Sequence, residues 1–161
     1  MLYFEKKSRI SCSALHLYQW HMEPGAFETL TPPWENVSII KRPDHLEEGA
    51  KVVLINRMGP VKLTWVALHQ NFVEGRRFDD VQETGPFKHW HHSHLFEPIT
   101  EHSCIMQDKI AYQLPGGSMI NRLAAPFVHR RLVKMFDYRH QQLISNFGEA
   151  VSDPETVNTQ F

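Results

Sequence analysis

The sequence predicts an α+β fold in which a curved antiparallel sheet of about seven strands wraps around a long C-terminal helix. Three observations indicate this fold. The predicted elements follow the order strand, two short helices, a run of strands, and one long helix. Several of the strands extend over about ten residues or more, and strands of that length are typical of a strongly curved sheet. The long helix has one apolar stripe, which the sheet would cover.

The first part of the chain is predicted to contain the first strand and both short helices. Residues 2–12 alternate loosely between apolar and polar side chains, as a strand exposed on one face does. Ser13 is a favourable N-cap for a helix over residues 14–21, and Pro24-Gly25 ends that helix. A second helical segment is predicted over residues 26–30.

A run of strands joined by short turns is predicted over residues 50–114, after an extended segment over residues 34–41. Thr31-Pro32-Pro33 forces the chain into that extended segment, because a residue before proline avoids the helical region. Four dipeptides mark the turns: Gly59-Pro60, Glu74-Gly75, Gly85-Pro86 and Glu97-Pro98. Gly116-Gly117-Ser118 ends the sheet.

Residues 119–147 are predicted to form the long helix, with Gly148 as its stop and a kink or restart near Pro126. Its inward stripe contains Val128, Leu132, Met135 or Phe136, Arg139, Leu143 and Phe147. The other basic residues are expected on a solvated face: His129, Arg130, Arg131, Lys134 and His140. Asp108 or another acid is the expected partner of the inward Arg139. The domain is predicted to cover residues 1–148, with a polar, frayed tail over 149–161.

The composition predicts one domain and excludes several classes of protein. The chain has 161 residues, 17 basic and 18 acidic, and a net charge of −1, so no strong field is available to hold nucleic acid or an anionic membrane. No run of 18 apolar residues could insert stably into a membrane. The two cysteines give neither a disulfide framework nor a CxxC zinc motif, and the N-terminus lacks an apolar signal segment. A cytoplasmic location is expected.

Turn lengths predict which residues face each other across the strands. A two-residue loop at Glu74-Gly75 places His69 opposite Asp80. A three-residue loop at Gly85-Pro86-Phe87 places Asp80 opposite His92. The sequence therefore predicts a row of His69, Asp80 and His92 across three strands.

The next turn, expected around residues 97–101, sets the pairing of the last strand. It places Trp90 near Asp108 and His94 near Cys104. These pairings put Asp108 and Cys104 on the same face of the sheet as the histidines.

One face of the predicted sheet is mainly apolar, while nearly every Lys and Arg falls on the other, which identifies the first as the buried, concave face. The concave set is Val52, Leu54, Met58, Val61, Leu63, Trp65, Ala67, His69, Phe78, Asp80, Gln82, Trp90, His92, His94, Phe96, Cys104, Met106, Asp108, Ile110, Tyr112 and Leu114. Asp79, His89, His91 and Gln107 fall on the outer face, where the two histidines are expected to be solvated.

Six polar residues belong to the concave set: His69, Asp80, Gln82, His92, His94 and Asp108. A fully packed apolar core has no use for so many buried polar groups, because each costs about 2–7 kcal/mol when unpaired. A cavity between the sheet and the long helix would explain them. Two chemical interpretations stay open beside a purely structural hydrogen-bond network.

The first is a metal site, because His92 and His94 share a strand face and Asp80 or Asp108 could be a third ligand. The second is a general acid/base relay of His69, Asp80 and His92, in which the carboxylate orients an imidazole. The structural network is preferred to both, and neither a metal nor a cofactor is predicted.

Several motifs together resemble those of a known superfamily. They are Phe27…Leu30-Thr31-Pro32-Pro33-Trp34, Gly59-Pro60…Trp65, Phe78-Asp79-Asp80-Val81-Gln82…Gly85-Pro86-Phe87, Trp90-x-His92-x-His94-x-Phe96, Asp108…Tyr112-x-Leu114-Pro115 and Phe136-x-x-Arg139-His140. With them the chain resembles the START-like, or SRPBCC, superfamily and its helix-grip fold, and most closely its ligand-binding, polyketide-cyclase-like bacterial members. Some of those are labelled cell-division inhibitors, and related domains occur beside sugar-nucleotide epimerase domains.

The resemblance implies a deep apolar cavity that binds a lipid, polyketide or similar metabolite as a carrier or sensor. The predicted ligand-binding residues are Trp65, His69, Phe78, Asp80, Gln82, Trp90, His92, His94, Met106, Asp108, Tyr112 and Arg139. An enzyme of the cyclase, aromatase or dehydratase type is the alternative, with His92 or His69 as base and Asp80 or Asp108 positioning it. A ligand-free interaction protein linked to cell division is the third, with no protein partner identified.

Overall fold

The computed structural model describes residues 1–58 and 60–150, and it has the predicted α+β helix-grip layout. The elements are β1 (Leu2–Ile10), α1 (Ala14–Met22), α2 (Ala26–Leu30), β2 (Val37–Lys41), β3 (Lys51–Met58), β4 (Val61–Val73), β5 (Arg77–Thr84), β6 (His89–Thr100), β7 (Ser103–Gln113) and α3 (Gly117–Phe147). One antiparallel sheet of seven strands has the order β1-β7-β6-β5-β4-β3-β2. Among the described residues, no helix is long and apolar enough to cross a membrane.

Local signals set the helix ends. The Ser13 hydroxyl accepts a hydrogen bond of 3.1 Å from the backbone N–H of His16, as predicted for an N-cap. Gly25, at φ 96°, occupies the left-handed position that begins α2. Pro126 lies inside α3 without interrupting it. The helix ends at Phe147, and the N–H of the capping residue Gly148 bonds the carbonyl of Ile144 at 2.7 Å.

The predicted row across the centre of the sheet is confirmed. His69 pairs with Asp80, and Asp80 pairs with His92. The β4–β5 loop has one more residue than predicted, because Val73 pairs with Arg77. A bulge between Gln70 and Val73 compensates for this residue, so the register beyond it is the predicted one.

The predicted pairing of β6 with β7 is wrong by four residues. Strand β6 continues through Pro98 to Thr100, and the turn follows only there. Asp108 therefore lies opposite His94 instead of Trp90, and Cys104 lies opposite Pro98 instead of His94. The ladder is irregular between Pro98 and Thr100, and such irregularities are places where a strand accommodates proline.

Two apolar clusters fill the space between the sheet and the helices. The first is built from buried residues of the sheet, of α1 and α2, and of the end of α3. It includes Leu17, Tyr18, Phe78, Phe96 and Leu143. The second includes Phe4, Trp90, Ile110, Tyr112, Leu132 and Phe136. Along β6, Trp90 belongs to the second cluster and Phe96 to the first, so His92 and His94 lie between them.

The predicted faces need corrections at a few positions. Val61, assigned to the concave set, is 52% exposed. Asp79 and Gln107, assigned to the outer face, are buried, and His91 is only partly exposed because its ring bonds Asp79 at 2.9 Å.

The ends of two predicted segments fall partly outside the described residues. Glu149, predicted as part of a frayed tail, forms a β-bridge with Ile10. Residues 151–161 of that tail lie outside the described residues, as do Gly59 of the predicted turn and the side chain of Met58.

Candidate functional site

A cavity of about 440 Å³ lies between the concave face of the sheet and α3. Strands β2 to β6 contribute its floor. The helices α1, α2 and α3 and the segments that follow α1, α2, β2, β5 and β7 contribute the rest of its wall. Most of the wall is apolar, with Leu30, Val37, Ile39, Leu46, Val52, Leu54, Leu63, Trp65, Ala67, Phe87, Trp90, Leu114, Phe127, Val128, Leu132, Met135 and Phe136 among its residues. The volume is within the usual range for small-molecule sites, about 300–1,000 Å³.

The polar part of the cavity floor is centred on His92, which is only 3% exposed. Its Nδ1 atom lies 2.9 Å from Asp80 Oδ2, and its Nε2 atom lies 2.7 Å from Asp108 Oδ1. A histidine with a carboxylate at each ring nitrogen donates from both nitrogens in its protonated form. This geometry favours the imidazolium.

The carboxylate of Asp80 is surrounded by three ring nitrogens that donate to it. Its Oδ2 atom accepts from His92 and from His94 Nε2 at 3.1 Å, and its Oδ1 atom accepts from Trp90 Nε1 at 3.3 Å. The ring of His94 stacks on Phe78 with a centroid separation of 4.2 Å. The aromatic stack and the carboxylate together position His94 beside His92.

Asp108 lies beneath the cavity floor and connects the sheet to the long helix. Its Oδ1 atom accepts from His92, and its Oδ2 atom accepts from Nε2 of His140 at 2.8 Å. The other nitrogen of His140 lies 2.8 Å from the hydroxyl of Ser8 on β1. His140, predicted on the solvated face of α3, is therefore a buried member of the network, only 1% exposed.

In this cluster the carboxylates of Asp80 and Asp108 stabilise the protonated form of His92, and the histidines stabilise the ionised carboxylates. Burial lowers the pKa of His92, but the charge of Asp80 and the hydrogen bonds to Asp108 and Asp80 outweigh it and raise the pKa to about 9. Burial would raise the pKa of Asp80 and Asp108, yet their histidine partners hold both well below the usual range. At neutral pH the cluster contains two carboxylates and the cationic His92.

His69 does not take part in the predicted relay. Asp80 bonds His94 instead, while Nδ1 of His69 is buried without a hydrogen-bond partner among the described residues. Burial lowers the pKa of His69 and outweighs the charge of Asp80. His69 therefore remains a neutral residue of the cavity wall.

Asp80, His92 and His94 are also the described residues that could hold a metal ion, since one ligand atom of each lies within 4.8 Å of the others. Binding would require an unprotonated nitrogen from both histidines. The two carboxylates that flank His92 stabilise its protonated form, which has no free lone pair. The geometry thus favours a charged hydrogen-bond network over a metal centre.

Arg139 lines the cavity, but the expected ion pair with Asp108 is absent among the described residues. The oxygens of Asp108 are engaged by His92 and His140. The guanidinium lies over the ring of Phe136, with 5.1 Å between Cζ and the ring centroid. Its Nε atom is buried and has no hydrogen-bond partner in residues 1–58 and 60–150.

The structure brings most of the predicted site residues to the cavity wall. Those that line it are Trp65, His69, Phe78, Asp80, Trp90, His92, His94 and Arg139. Four others are not part of the wall: Gln82, Met106, Asp108 and Tyr112. Gln82 instead bonds the main chain of Phe87 through both ends of its amide, and Met106 and Tyr112 are packed in the two apolar clusters.

Sequence reasoning missed His140 and also His21, which is buried on α1 and lines the cavity. His21 bonds the carbonyl of Leu17 at 2.7 Å, and burial lowers its pKa to about 3. A signal for His140 was present, because Leu132, Phe136 and His140 are spaced four residues apart and therefore share a helix face.

The sheet, the gripped helix and the cavity between them define a START-like, or SRPBCC, fold. A START superfamily protein from Mycobacterium smegmatis is similar over 88% of this chain and 98% of its own, with a TM-score of 0.58 and 17% identity. The Zhui aromatase/cyclase from Streptomyces sp. R1128 is similar over 90% of this chain and 92% of its own, with a TM-score of 0.69 and 11% identity.

The chain belongs to the family described as domain of unknown function DUF8410, which matches residues 28–147. A nucleoside-diphosphate sugar epimerase from Corynebacterium glutamicum is 28% identical, with a TM-score of 0.66 over 89% of this chain. The similar region spans only 28% of the length of that epimerase. No curated protein matches the chain in sequence.

Proposed function

We propose that this protein binds an apolar or amphipathic small molecule in the cavity between the sheet and α3, as a carrier or sensor. The cavity itself is the observation that supports the proposal. Its volume of about 440 Å³ suits a metabolite of lipid or polyketide size. Its wall offers aliphatic and aromatic surface, whose burial contributes about 25 cal/mol per Å².

The polar cluster gives the ligand an orientation. His92, His94 and Asp80 form a polar floor between the two apolar clusters, and all three line the cavity. A ligand with one polar group would place that group here or at Arg139, and would leave its apolar part against the remaining wall. A carrier or sensor that does not transform its ligand requires only this apolar wall and polar floor.

A cyclase- or dehydratase-type enzyme is the second candidate, because His92 faces the cavity and is held by carboxylates. The raised pKa, about 9, makes His92 a proton donor at neutral pH and opposes the role of base predicted for it. An enzyme would convert a bound β-polyketone or hydroxyl-bearing substrate, whereas a carrier would return it unchanged. Product analysis by mass spectrometry separates these two functions.

The proposal is tested by native mass spectrometry of freshly purified protein, followed by extraction and identification of any co-purified molecule. Titration with the neutral fluorophore N-phenyl-1-naphthylamine then measures binding directly. We expect a fluorescence increase that saturates at one molecule per chain. Absence of both a co-purified molecule and saturable fluorescence would overturn the proposal.

A variant that fills the cavity locates the bound fluorophore. Ala67 is buried and lines the cavity from β4, so Ala67→Phe places a ring in the ligand's space. Thr64 is exposed on the opposite face of the same strand, which makes Thr64→Phe a matched control. We expect Ala67→Phe to reduce the affinity at least tenfold and Thr64→Phe to leave it unchanged. Equal affinities would place the fluorophore outside the cavity.

A further inference from the structure

Arg139 differs from the other arginines that line the cavity. Arg131 pairs with Glu35 at 2.6 Å, and Arg42 pairs with Glu28 at 3.1 Å. Arg139 has no hydrogen bond and no ion pair within the described part of the chain. It is therefore a cation on the cavity wall whose donors have no acceptor among the residues that the structure describes.

The three carboxylates whose charges act on Arg139 already have other partners in the protein. Asp80 accepts hydrogen bonds from His92, His94 and Trp90, while Asp108 accepts them from His92 and His140. Glu35 is held by Arg131. These carboxylates act on Arg139 only at a distance, and burial lowers its pKa despite them.

A guanidinium has five N–H donors arranged as a fork that matches the two oxygens of a carboxylate. The contact with Phe136 covers one face of this fork, since Cζ lies 5.1 Å from the ring centroid. The N–H groups lie in the plane of the guanidinium and point along its edge. An acceptor that enters the cavity can reach the edge without displacing a protein partner.

Leaving a buried charged donor without an acceptor is costly, so a site that keeps one is suited to a ligand that supplies the acceptor. The local charge permits this. The cationic His92 lies between Asp80 and Asp108, so Arg139 is not the only positive charge opposite those two carboxylates.

We propose that the ligand of this cavity is an amphipathic carboxylic acid whose carboxylate is bound by Arg139. Its apolar body lies against the aliphatic and aromatic wall, including Leu132 and Phe136 on the same helix. This inference rests on the proposed function, because it specifies the chemical class of the ligand in the same cavity.

Two fluorescent probes with the same apolar body test the inference: 1-pyrenebutyrate, which carries a carboxylate, and 1-pyrenebutanol, which does not. Both are titrated into wild type, Arg139→Gln and Arg130→Gln. Arg130 is exposed on the same helix and is not part of the cavity wall, so its substitution makes the same charge change elsewhere. Circular dichroism and thermal unfolding establish that each variant is folded.

We expect wild type and Arg130→Gln to bind the acid at least about tenfold more tightly than the alcohol, as charge-assisted hydrogen bonds to a buried guanidinium predict. We expect Arg139→Gln to lose this preference while its affinity for the alcohol stays within about twofold. Equal binding of acid and alcohol to wild type would overturn the inference and leave the cavity proposal standing. This comparison needs no variant.

Retention of the full preference by folded Arg139→Gln would likewise overturn the role of Arg139. If wild type binds neither probe, N-phenyl-1-naphthylamine also fails to bind, and no molecule co-purifies with the protein, the proposed function itself is overturned. The two failures are therefore distinguishable.

Discussion

Asp108 accepts a hydrogen bond of 2.7 Å from His92, although the residue opposite Asp108 in the sheet is His94. The bond runs diagonally from β6 to β7 and leaves the second oxygen of Asp108 to His140 on α3. One buried carboxylate thereby joins two strands to the long helix directly beneath the cavity. Asp108 therefore affects both the stability of the fold and the protonation of His92 in the cavity floor.

The first prediction concerns the protonation of His92. Its raised pKa in the folded protein, about 9 against 6.5, means that the stability it contributes is complete below about pH 6.5 and is lost as the pH rises through 9. Asp80→Asn removes one of the two flanking charges, so the His92 pKa should fall. NMR titration of the His92 ring protons measures both values. The same midpoint in wild type and Asp80→Asn would contradict this prediction, and Glu97→Gln, an exposed change, is the control.

The second prediction is that Asp108→Ala destabilises the protein by about 3–5 kcal/mol, as loss of one partner of a buried ion pair does. The substitution removes the acceptor of Nε2 in both His92 and His140. Urea unfolding at pH 7 measures the change in free energy. Asp137, whose side chain is 50% exposed on α3, is the control, and Asp137→Ala should change the stability by less than about 1 kcal/mol. Similar losses for the two variants would exclude the structural role of Asp108.

The third prediction concerns Asp79 on the convex face. Its side chain is fully buried and accepts hydrogen bonds from Arg77, His91 and Asn71. Asp79→Asn should lower the free energy of unfolding by about 1–3 kcal/mol at pH 7 and leave ligand affinity unchanged. Exposed Glu83 on the same strand provides the control variant Glu83→Gln.

The acid stability of the same variant supplies a second measurement. Burial would raise the pKa of Asp79, but Arg77 and its other donors hold it below the usual 3.8. This contribution to stability is therefore present above about pH 3.8 and is lost as the pH falls through the lower folded value. Between pH 5 and 2 the free energy of unfolding should fall less steeply with decreasing pH for Asp79→Asn than for wild type. Parallel curves would contradict the assignment.

The fourth prediction is that Arg139→Met does not destabilise the protein and raises the free energy of unfolding by about 1 kcal/mol. The substitution removes a partly buried cation whose Nε atom is buried and has no acceptor among the described residues. Arg131→Met is the contrast, because it leaves Glu35, only 6% exposed, without that partner and should be destabilising. Thermal and urea unfolding measure both. A loss of more than about 1 kcal/mol in Arg139→Met would show that Arg139 is needed for folding.

The order of elements, the two faces of the sheet and the row of His69, Asp80 and His92 were predictable because they depend on short-range signals. Turn length and the two-residue side-chain period of a strand together determine which positions face each other. The predicted row was correct although the predicted β4–β5 loop was one residue too short, because a bulge in β4 compensates for the extra residue. The turn between β6 and β7 was misplaced, since Pro98 lies within a strand where proline usually marks an end.

The partners within the site were not predictable in the same way. Asp80 bonds His94 rather than its register neighbour His69, and Asp108 bonds His140 rather than Arg139. Each choice depends on side-chain rotamers and on how the helix is placed over the sheet. Neither is encoded by spacing along the chain.

The sequence by itself determined the order of elements and the presence of buried histidines and acids on the concave face, because periodicity and turn chemistry act over a few residues. The helix-grip arrangement of those elements was implied by the resemblance to the START-like superfamily. Only the tertiary structure decided that His92 is shared by two carboxylates and that Arg139, on the cavity wall, has no ion pair within the described part of the chain. Burial of Leu132, Phe136 and Leu143 positions α3 over the sheet. That position brings His140 to Asp108 and leaves the donors of Arg139 available to a ligand.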